Sequence, residues 1–322
     1  MDEFSFIKSI KPKTWHQPTL VKGIGDDAAV FRHMTKNVVT AVDTFVENVH
    51  FSQHTMTLFQ VGYRALAANI SDLAAMGASP AFYLASVVVP NSLSMPNLHK
   101  IFSGMNAIAQ TYNMDLIGGD MVAGESLTLS ITVIGFVDEE KARYRNMARD
   151  GDIVFVTGTL GDAQAGYHIL THDGDYKNKS YYIHRHRMPT PRVDFARALS
   201  HLDRIALNDV SDGLANEAAE IVEASGVDIC LYADNIPVSP SFSQFSSALQ
   251  RKWKLFGGED FELLGTVAAD KWPDIEAAAE TTNTSVTEIG RVMRCENETG
   301  RVYLYENAQK KILNKDGYTH FK

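Results

Sequence analysis

The chain has 322 residues, 45% of them hydrophobic and 21% charged, an ordinary globular composition long enough for two cored domains and unlike that of a disordered, collagen-like or coiled-coil protein. A formal net charge of −9 argues against a general grip on nucleic acid or on an anionic membrane, because phosphate surfaces are held by net positive ones. The two cysteines, Cys230 and Cys295, are too few and too far apart for a disulfide framework or a cysteine metal site, and they fit a reducing compartment.

The start, Met1-Asp2-Glu3, has neither a basic region nor an apolar one, so no secretory signal is expected and a cytoplasmic protein is. Asn37 to Asp43 reads as a strand ending in an acid. Leu58 to Met76 carries apolar residues at helical spacing, with Gly77 as its stop. The uncharged stretch from Leu73 to Leu98 is interrupted by Gly77, Pro80, Pro90, Asn91 and Pro96, so it reads as helix end, turn, buried strand (Ala81 to Val89) and turn, not as a membrane span. Leu98 to Tyr112 is a predicted helix, and Met114 to Ile117 and Leu127 to Val137 are predicted strands.

Charged, irregular sequence between Val137 and Asp150 marks a boundary between domains at 1–140 and 150–322. A strand over Asp152 to Thr157, a turn at Gly158-Thr159-Leu160-Gly161 and a helix from Asp162 open the second series. Helices near Tyr181 to His201 and Asp212 to Ser225 follow, the first bent by Met188-Pro189-Thr190-Pro191-Arg192. Strands near Val227 to Tyr232, Leu263 to Val267 and Thr287 to Val292 complete an α+β half.

The informative feature is the placement of acids in short, turn-like contexts at the ends of apolar runs: Gly25-Asp26-Asp27, Val42-Asp43-Thr44, Asn69-Ile70-Ser71-Asp72, Gly118-Gly119-Asp120, Asp209-Val210-Ser211-Asp212-Gly213 and Gly257-Gly258-Glu259-Asp260. Any one of them is explained as a helix cap or turn former. Taken together they need more, because two like charges about 4 Å apart at an effective dielectric near 20 repel by about 4 kcal/mol. A convergent cluster requires cations, and hard cations with oxygen ligands fit. Zinc would ask for cysteine or closely spaced histidine, and no HExxH pair occurs, so magnesium with nucleotide phosphate is the physical reading. GxxxxGK[ST], a helix-opening GxGxxG, the protein-kinase motifs and GxSxG are all absent.

Gly23-Ile24-Gly25-Asp26-Asp27-Ala28-Ala29, Val42-Asp43-Thr44, Asn48-Val49-His50-Phe51, Asn69 to Ala78, Gly118-Gly119-Asp120, Asp209 to Leu214, Gly257 to Leu263 and Gly317-Tyr318-Thr319-His320-Phe321 together resemble the thiamine-monophosphate kinase family, in order and over essentially the whole chain. The glycine-acid turns are shared with the wider superfamily of aminoimidazole ribonucleotide synthetase, selenophosphate synthetase and the hydrogenase maturation dehydratase. The blocks at Asn48 to Phe51, Gly257 to Glu262 and Tyr318 narrow the assignment.

The resemblance implies an α+β fold of two α+β domains: an N-terminal ATP- and magnesium-binding domain whose four-stranded sheet pairs with that of a second subunit, and a C-terminal α/β sandwich-like domain closing the active site. It implies ATP as phosphoryl donor, several Mg2+ ions, thiamine monophosphate as acceptor and a homodimer. Carried over, Asp27, Asp43, Asp72, Asp120, Asp209 and Asp212 correspond to metal ligands, with Asp27, Asp120 and Asp209 the catalytic set. Gly119, Asp120, Arg145 and Ser211 correspond to nucleotide contacts, and His50, Glu259 or Asp260, and Tyr318 to the thiamine-phosphate pocket. One departure is that Ala41-Val42 stands where family members often carry Ser-Thr before the acid, so any metal contact there would use backbone carbonyls.

The acceptor phosphate is already largely ionised at neutral pH. The transfer therefore needs alignment and charge neutralisation and no general base. Two alternatives stay open: another ATP-dependent enzyme of the superfamily, although neither the reactive N-terminal-loop cysteine expected of a selenophosphate synthetase nor the C-terminal cysteine expected of the maturation dehydratase is present, and a non-catalytic nucleotide- or metal-binding protein.

Overall fold

The structure is a computed structural model that describes residues 9–12, 14–22, 30–31, 35–295 and 299–317. Its backbone divides into two units, one of residues 1–73 and 78–140, the other of residues 74–77 and 141–322.

In the first unit, a short antiparallel pair, β1 Leu20–Lys22 and β2 Val30–Phe31, precedes a four-stranded sheet ordered β3-β6-β4-β5. Its strands are β3 Asn37–Val46, β4 Ser79–Pro90, β5 Asp115–Gly124 and β6 Thr128–Val137. On β6, Leu129, Ile131 and Val133 are buried while Ser130, Thr132 and Ile134 are half-buried, the alternation of a sheet with one covered face. The helices of this unit are α1 Leu58–Ala75 and α2 Met95–Thr111. They cross at glycines: a methyl on Gly62 would strike the Ile101 carbonyl, and one on Gly104 the Phe59 carbonyl. Residues without a side chain let the two backbones touch there.

The open face of this sheet carries a polar row. Thr44, Ser130, Ser86 and Asp120 stand in register across all four strands, and the Thr44 hydroxyl donates to Ser130 Oγ at 3.1 Å. Val38, Val42 and Val122 flank the row and are exposed.

The second unit is built on a seven-stranded sheet ordered β13-β12-β9-β11-β7-β10-β8. In chain order its strands are β7 Ile153–Thr157, β8 Ala206–Asp209, β9 Val227–Tyr232, β10 Leu263–Val267, β11 Val286–Arg294, β12 Val302–Glu306 and β13 Gln309–Ile312. Every pairing is antiparallel except that of β12 with β9. The helices are α3 Asp162–Thr171, α4 Lys179–Arg187, α5 Val193–Ala198, α6 Leu214–Ser225, α7 Ser247–Phe256 and α8 Trp272–Thr281. β7 and β10 are buried along their whole length because helices cover both faces. Val154, Val156 and Leu264 share a core with Leu214, Ala218 and Ile221 of α6, while Phe155 meets Phe195 of α5 and Trp272 of α8.

The α+β architecture is as expected, and three local expectations need correction. Asp72 stands within α1, as the Leu58 to Met76 pattern predicts, but the strand expected to end at Asp43 runs on to Val46, and Asp120 lies inside a strand, not in a turn. Gly119 continues β5 because its missing side chain lets the strand press against the Ala85 carbonyl of β4. The predicted helix over Tyr181 to His201 is two helices and a 3-10 turn, broken after Arg187. Strands β1, β2, β8, β12 and β13 and helices α7 and α8 stand beyond the elements expected from sequence.

Candidate active site

In the N-terminal unit the expected acids do not converge on one face: Asp43 lies on the edge strand β3, on the side opposite the Thr44–Asp120 row, Asp120 lies in that row on the other edge strand, β5, and Asp72 lies on α1. Asn69, buried on α1, accepts the Asp43 N–H at 3.0 Å and donates to the Ala65 carbonyl at 2.9 Å. One amide side chain thus ties the outer edge of β3 to the helix that carries Asp72 one turn further on. Burial pushes the Asp43 carboxyl up from its ordinary value. Asp120, exposed on β5, accepts its neighbour's N–H from Met121 at 3.0 Å. The His50 ring stacks on Phe45 with centroids 5.2 Å apart, and its Nδ1 accepts the Val46 N–H at 3.1 Å, which leaves the proton of the neutral ring on Nε2. Asp27 and Tyr318 lie outside the described residues.

A cavity of about 320 Å³ also belongs to this unit, between α2 and the start of β5, where Tyr83, His99, Phe102, Asn106 and Asp115 line it. None of the expected site residues does.

In the C-terminal unit the expected residues Arg145, Asp209, Ser211 and Asp212 meet around a residue the sequence reading passed over, Glu217. Its Oε1 accepts the Asp212 N–H at 2.9 Å and the Ser211 hydroxyl at 3.3 Å, and its Oε2 accepts Asn208 Nδ2 at 2.6 Å. Asn208 Oδ1 in turn accepts Arg145 Nε at 3.0 Å, and Arg145 pairs with Glu220 at 2.9 Å. Glu217 lies in the first turn of α6, whose own cap, Gly213 (φ 109°), has no side chain. The glutamate reaches back over the helix start much as in a capping box. Burial first, then the charge of Asp209, push Glu217 up to about 8, with Glu220 and Asp212 adding and the Asp212 N–H opposing.

Among the described residues no three His, Cys, Asp or Glu side chains stand together as a metal group. The donors present are nevertheless hard oxygens of one sign, and the charges of Asp209 and Asp212 add to burial in raising Glu217. A divalent cation among Asp209 and Asp212 would offset those charges, so this donor set fits magnesium.

The loop Gly257–Glu262 is bound to the same strand end. Glu259 donates its N–H to the Ser211 carbonyl at 2.7 Å, Phe261 donates to Val210 at 3.0 Å, and Val210 donates back to Glu262 at 2.7 Å. Asp260 is buried, and both its oxygens are taken, by the N–H groups of Gly161 (2.6 Å) and Ala163 (2.9 Å) at the start of α3. Burial lifts its carboxyl to about 7 against the pull of Arg185 and those two donors.

Next to it Glu262, wholly buried, accepts Arg192 Nε and a terminal Arg192 nitrogen, each at 2.6 Å, a terminal Arg185 nitrogen at 2.8 Å and the Thr157 hydroxyl at 2.7 Å. Burial raises Glu262, but the two guanidiniums outweigh it and hold the carboxyl below its ordinary range. Glu262 was visible in sequence as a charge between Phe261 and Leu263, a pattern that demands a buried partner. Arg185 and Arg192, about seventy positions away, carried no local signal.

The chain matches two family models, AIR synthase related protein, N-terminal domain, over residues 25–137, and AIR synthase related protein, C-terminal domain, over residues 149–302. It is 43% identical over 329 residues to the thiamine-monophosphate kinase of Bacillus subtilis (strain 168), with all of both chains covered. Among solved structures, thiamine-monophosphate kinase from Stenotrophomonas maltophilia K279a superposes with a TM-score of 0.84 at 32% identity, covering 94% of this chain and 96% of that one. AaThiL complexed with AMPPCP and TMP superposes with a TM-score of 0.77 at 30% identity, covering 99% and 97%. A full-length relative at this identity, matching models over both domains and the order of the acid-bearing segments agree, and the chain belongs to the thiamine-monophosphate kinase family.

Proposed function

We propose that this protein transfers the γ-phosphoryl group of ATP to the phosphate of thiamine monophosphate, giving thiamine diphosphate and ADP. The observation that carries the reading is the 43% identity to a thiamine-monophosphate kinase over the whole of both chains, supported by the similar fold of a structure that holds AMPPCP and TMP.

The residues divide the work by chemistry. Asp27, Asp43, Asp72, Asp120, Asp209 and Asp212 are the acids that would hold magnesium. When bound, the ions neutralise two polyanions and the charge that develops between them. Arg145, half exposed and steered by Asn208 and Glu220, supplies a fixed cation for the donor phosphates, and Ser211 and Gly119 supply close backbone approach. His50, with its Nε2 proton directed away from the Val46 amide, and Glu259 are the acceptor contacts, together with Tyr318. No side chain need take a proton from the attacking oxygen, so catalysis rests on in-line placement.

The expected partner is a second copy of the chain, meeting on the open face of the four-stranded sheet, where Val38, Val42 and Val122 are exposed. Among the described residues no helix is long and apolar enough to cross a membrane, and a cytoplasmic location is part of this reading.

Purified protein incubated with ATP, magnesium and thiamine monophosphate should yield thiamine diphosphate and ADP in equal amounts. No product over a range of divalent metals, with turnover of an aminoimidazole or selenide substrate in parallel, would move the protein to another branch of the superfamily.

A further inference from the structure

The Gly257–Glu262 loop is made of backbone that side chains resist. Glu259 has φ of 70° and Phe261 φ of 51°, two left-handed non-glycine residues on either side of Asp260. Such conformations persist only where the surroundings over-determine them, and they concentrate at functional sites. The restraint here comes from three directions. The peptide groups of Glu259, Phe261 and Glu262 are zipped to Val210 and Ser211. Gly258 lies so close to the Ser211 carbonyl that a methyl group would strike it. The Asp260 carboxylate takes the N–H groups of Gly161 and Ala163, which a helix start otherwise leaves without partners. Gly161 is itself left-handed (φ 85°) and brings no capping side chain, so α3 is capped by a residue almost a hundred positions away.

Asp260 is 1% exposed with both oxygens engaged, which leaves it nothing to offer a ligand. Its neighbour Glu259 is only half-buried. We propose that Asp260 is a positioning residue: it anchors the loop to the start of α3 and so presents Glu259 to thiamine monophosphate, while the hydrogen bond from the Glu259 N–H to the Ser211 carbonyl fixes the acceptor loop against the nucleotide loop. This inference rests on the thiamine-monophosphate kinase reading above. It turns the pair Glu259-Asp260, which sequence leaves equivalent, into one contact and one anchor.

Thiamine monophosphate binding, measured by calorimetry on the full chain with AMPPCP and magnesium present, separates anchor from contact. Glu259→Gln and Asp260→Asn should each weaken binding about tenfold, the loss of one hydrogen bond to a charged group. The double variant should be no weaker than Asp260→Asn alone, because a displaced Glu259 has nothing left to lose. Penalties that multiply, or an Asp260→Asn protein that binds like wild type, would overturn the assignment.

Amide hydrogen exchange reads the anchor without any ligand. In the wild type the Gly161 and Ala163 amides should be protected as strongly as the interior of α3. Asp260→Asn should release them, and Glu259→Gln should not. Rapid exchange at both positions in the folded wild type defeats the proposal even if Asp260→Asn fails to fold. A wild type that ignores thiamine monophosphate yet shows the protected amides removes the functional reading and leaves Asp260 as a helix cap only, which also defeats it as a positioning residue.

Discussion

Replacing Arg192 by methionine keeps most of the side-chain stem and removes the two 2.6 Å bonds to Glu262. The carboxylate side chain is 1% exposed and that of Arg192 18%, so water cannot take over. Removing one partner of a buried pair costs about 3–5 kcal/mol. Arg185 at 2.8 Å and the Thr157 hydroxyl at 2.7 Å remain, which places the expected loss near the lower end, about 3 kcal/mol. In urea this is a midpoint shift of about 1–1.5 M for a slope near 2–3 kcal/mol/M, readable by tryptophan fluorescence, since Trp253 is buried in this unit. The sign of the pH dependence follows from Glu262. In the wild type its carboxyl is held below the ordinary value, so its contribution is present above the unfolded value and is lost as pH falls through the folded one. Without Arg192 burial prevails, Glu262 protonates at higher pH, and the gap between variant and wild type should narrow on acidification. A double-mutant cycle with Glu262→Gln should show coupling above about 1.5 kcal/mol. Additive effects, or a gap that does not change between pH 8 and pH 5, would refute the claim that this pair acts as a buried, mutually dependent unit.

Three further outcomes are expected. Asp260, lifted to about 7 in the folded protein from about 3.9 unfolded, favours folding most in acid and loses that contribution as pH rises through 7. Asp260→Asn should therefore destabilise more near pH 4 than near pH 8, by up to about 4 kcal/mol, and equal destabilisation at both would contradict the raised value. Gly104→Ala should lower stability by about 3 kcal/mol in thermal unfolding, because the new methyl meets the Phe59 carbonyl of the facing helix. Asp120→Asn should keep its melting temperature, the side chain being exposed, while turnover falls about a hundredfold or more. Retained turnover would remove Asp120 from the phosphate-handling set.

What could be read from sequence is set by the range of the interaction. Periodicity located β4, α1 and β10 because burial on a regular face imprints each of them locally. Helix α7 escaped, since Gln250, Arg251, Lys252 and Lys254 hide an apolar edge of Trp253 and Leu255, and β13 escaped because all four of its residues are exposed. The acids were legible as glycine-flanked outliers. Their surroundings were misread: an acid beside glycines suggests a turn, but Gly119 is there to let two strands approach. Glu217 could have been suspected from its place behind a glycine cap. Nothing local couples Glu262 to Arg185 and Arg192, or Asp260 to Gly161, and those ties hold the loop.

The distribution of charge in the C-terminal unit argues that this geometry is kept for chemistry, not for stability. A carboxyl driven to about 8 by burial first and then by the charge of its neighbours, as Glu217 is, and another lifted to about 7 by burial, as Asp260 is, are arrangements that apolar residues of similar volume would often better for folding alone. Each of them touches a turn whose backbone departs from the ordinary regions: Glu217 the Asp212-Gly213 start of α6, Asp260 the Glu259–Phe261 segment. The two turns are joined through Val210 and Ser211. Strain and unfavourable charge therefore lie at one strand end, around the residues proposed above for nucleotide and acceptor. For a transfer governed by alignment, a rigid junction between the two loops is the feature most worth that loss of stability.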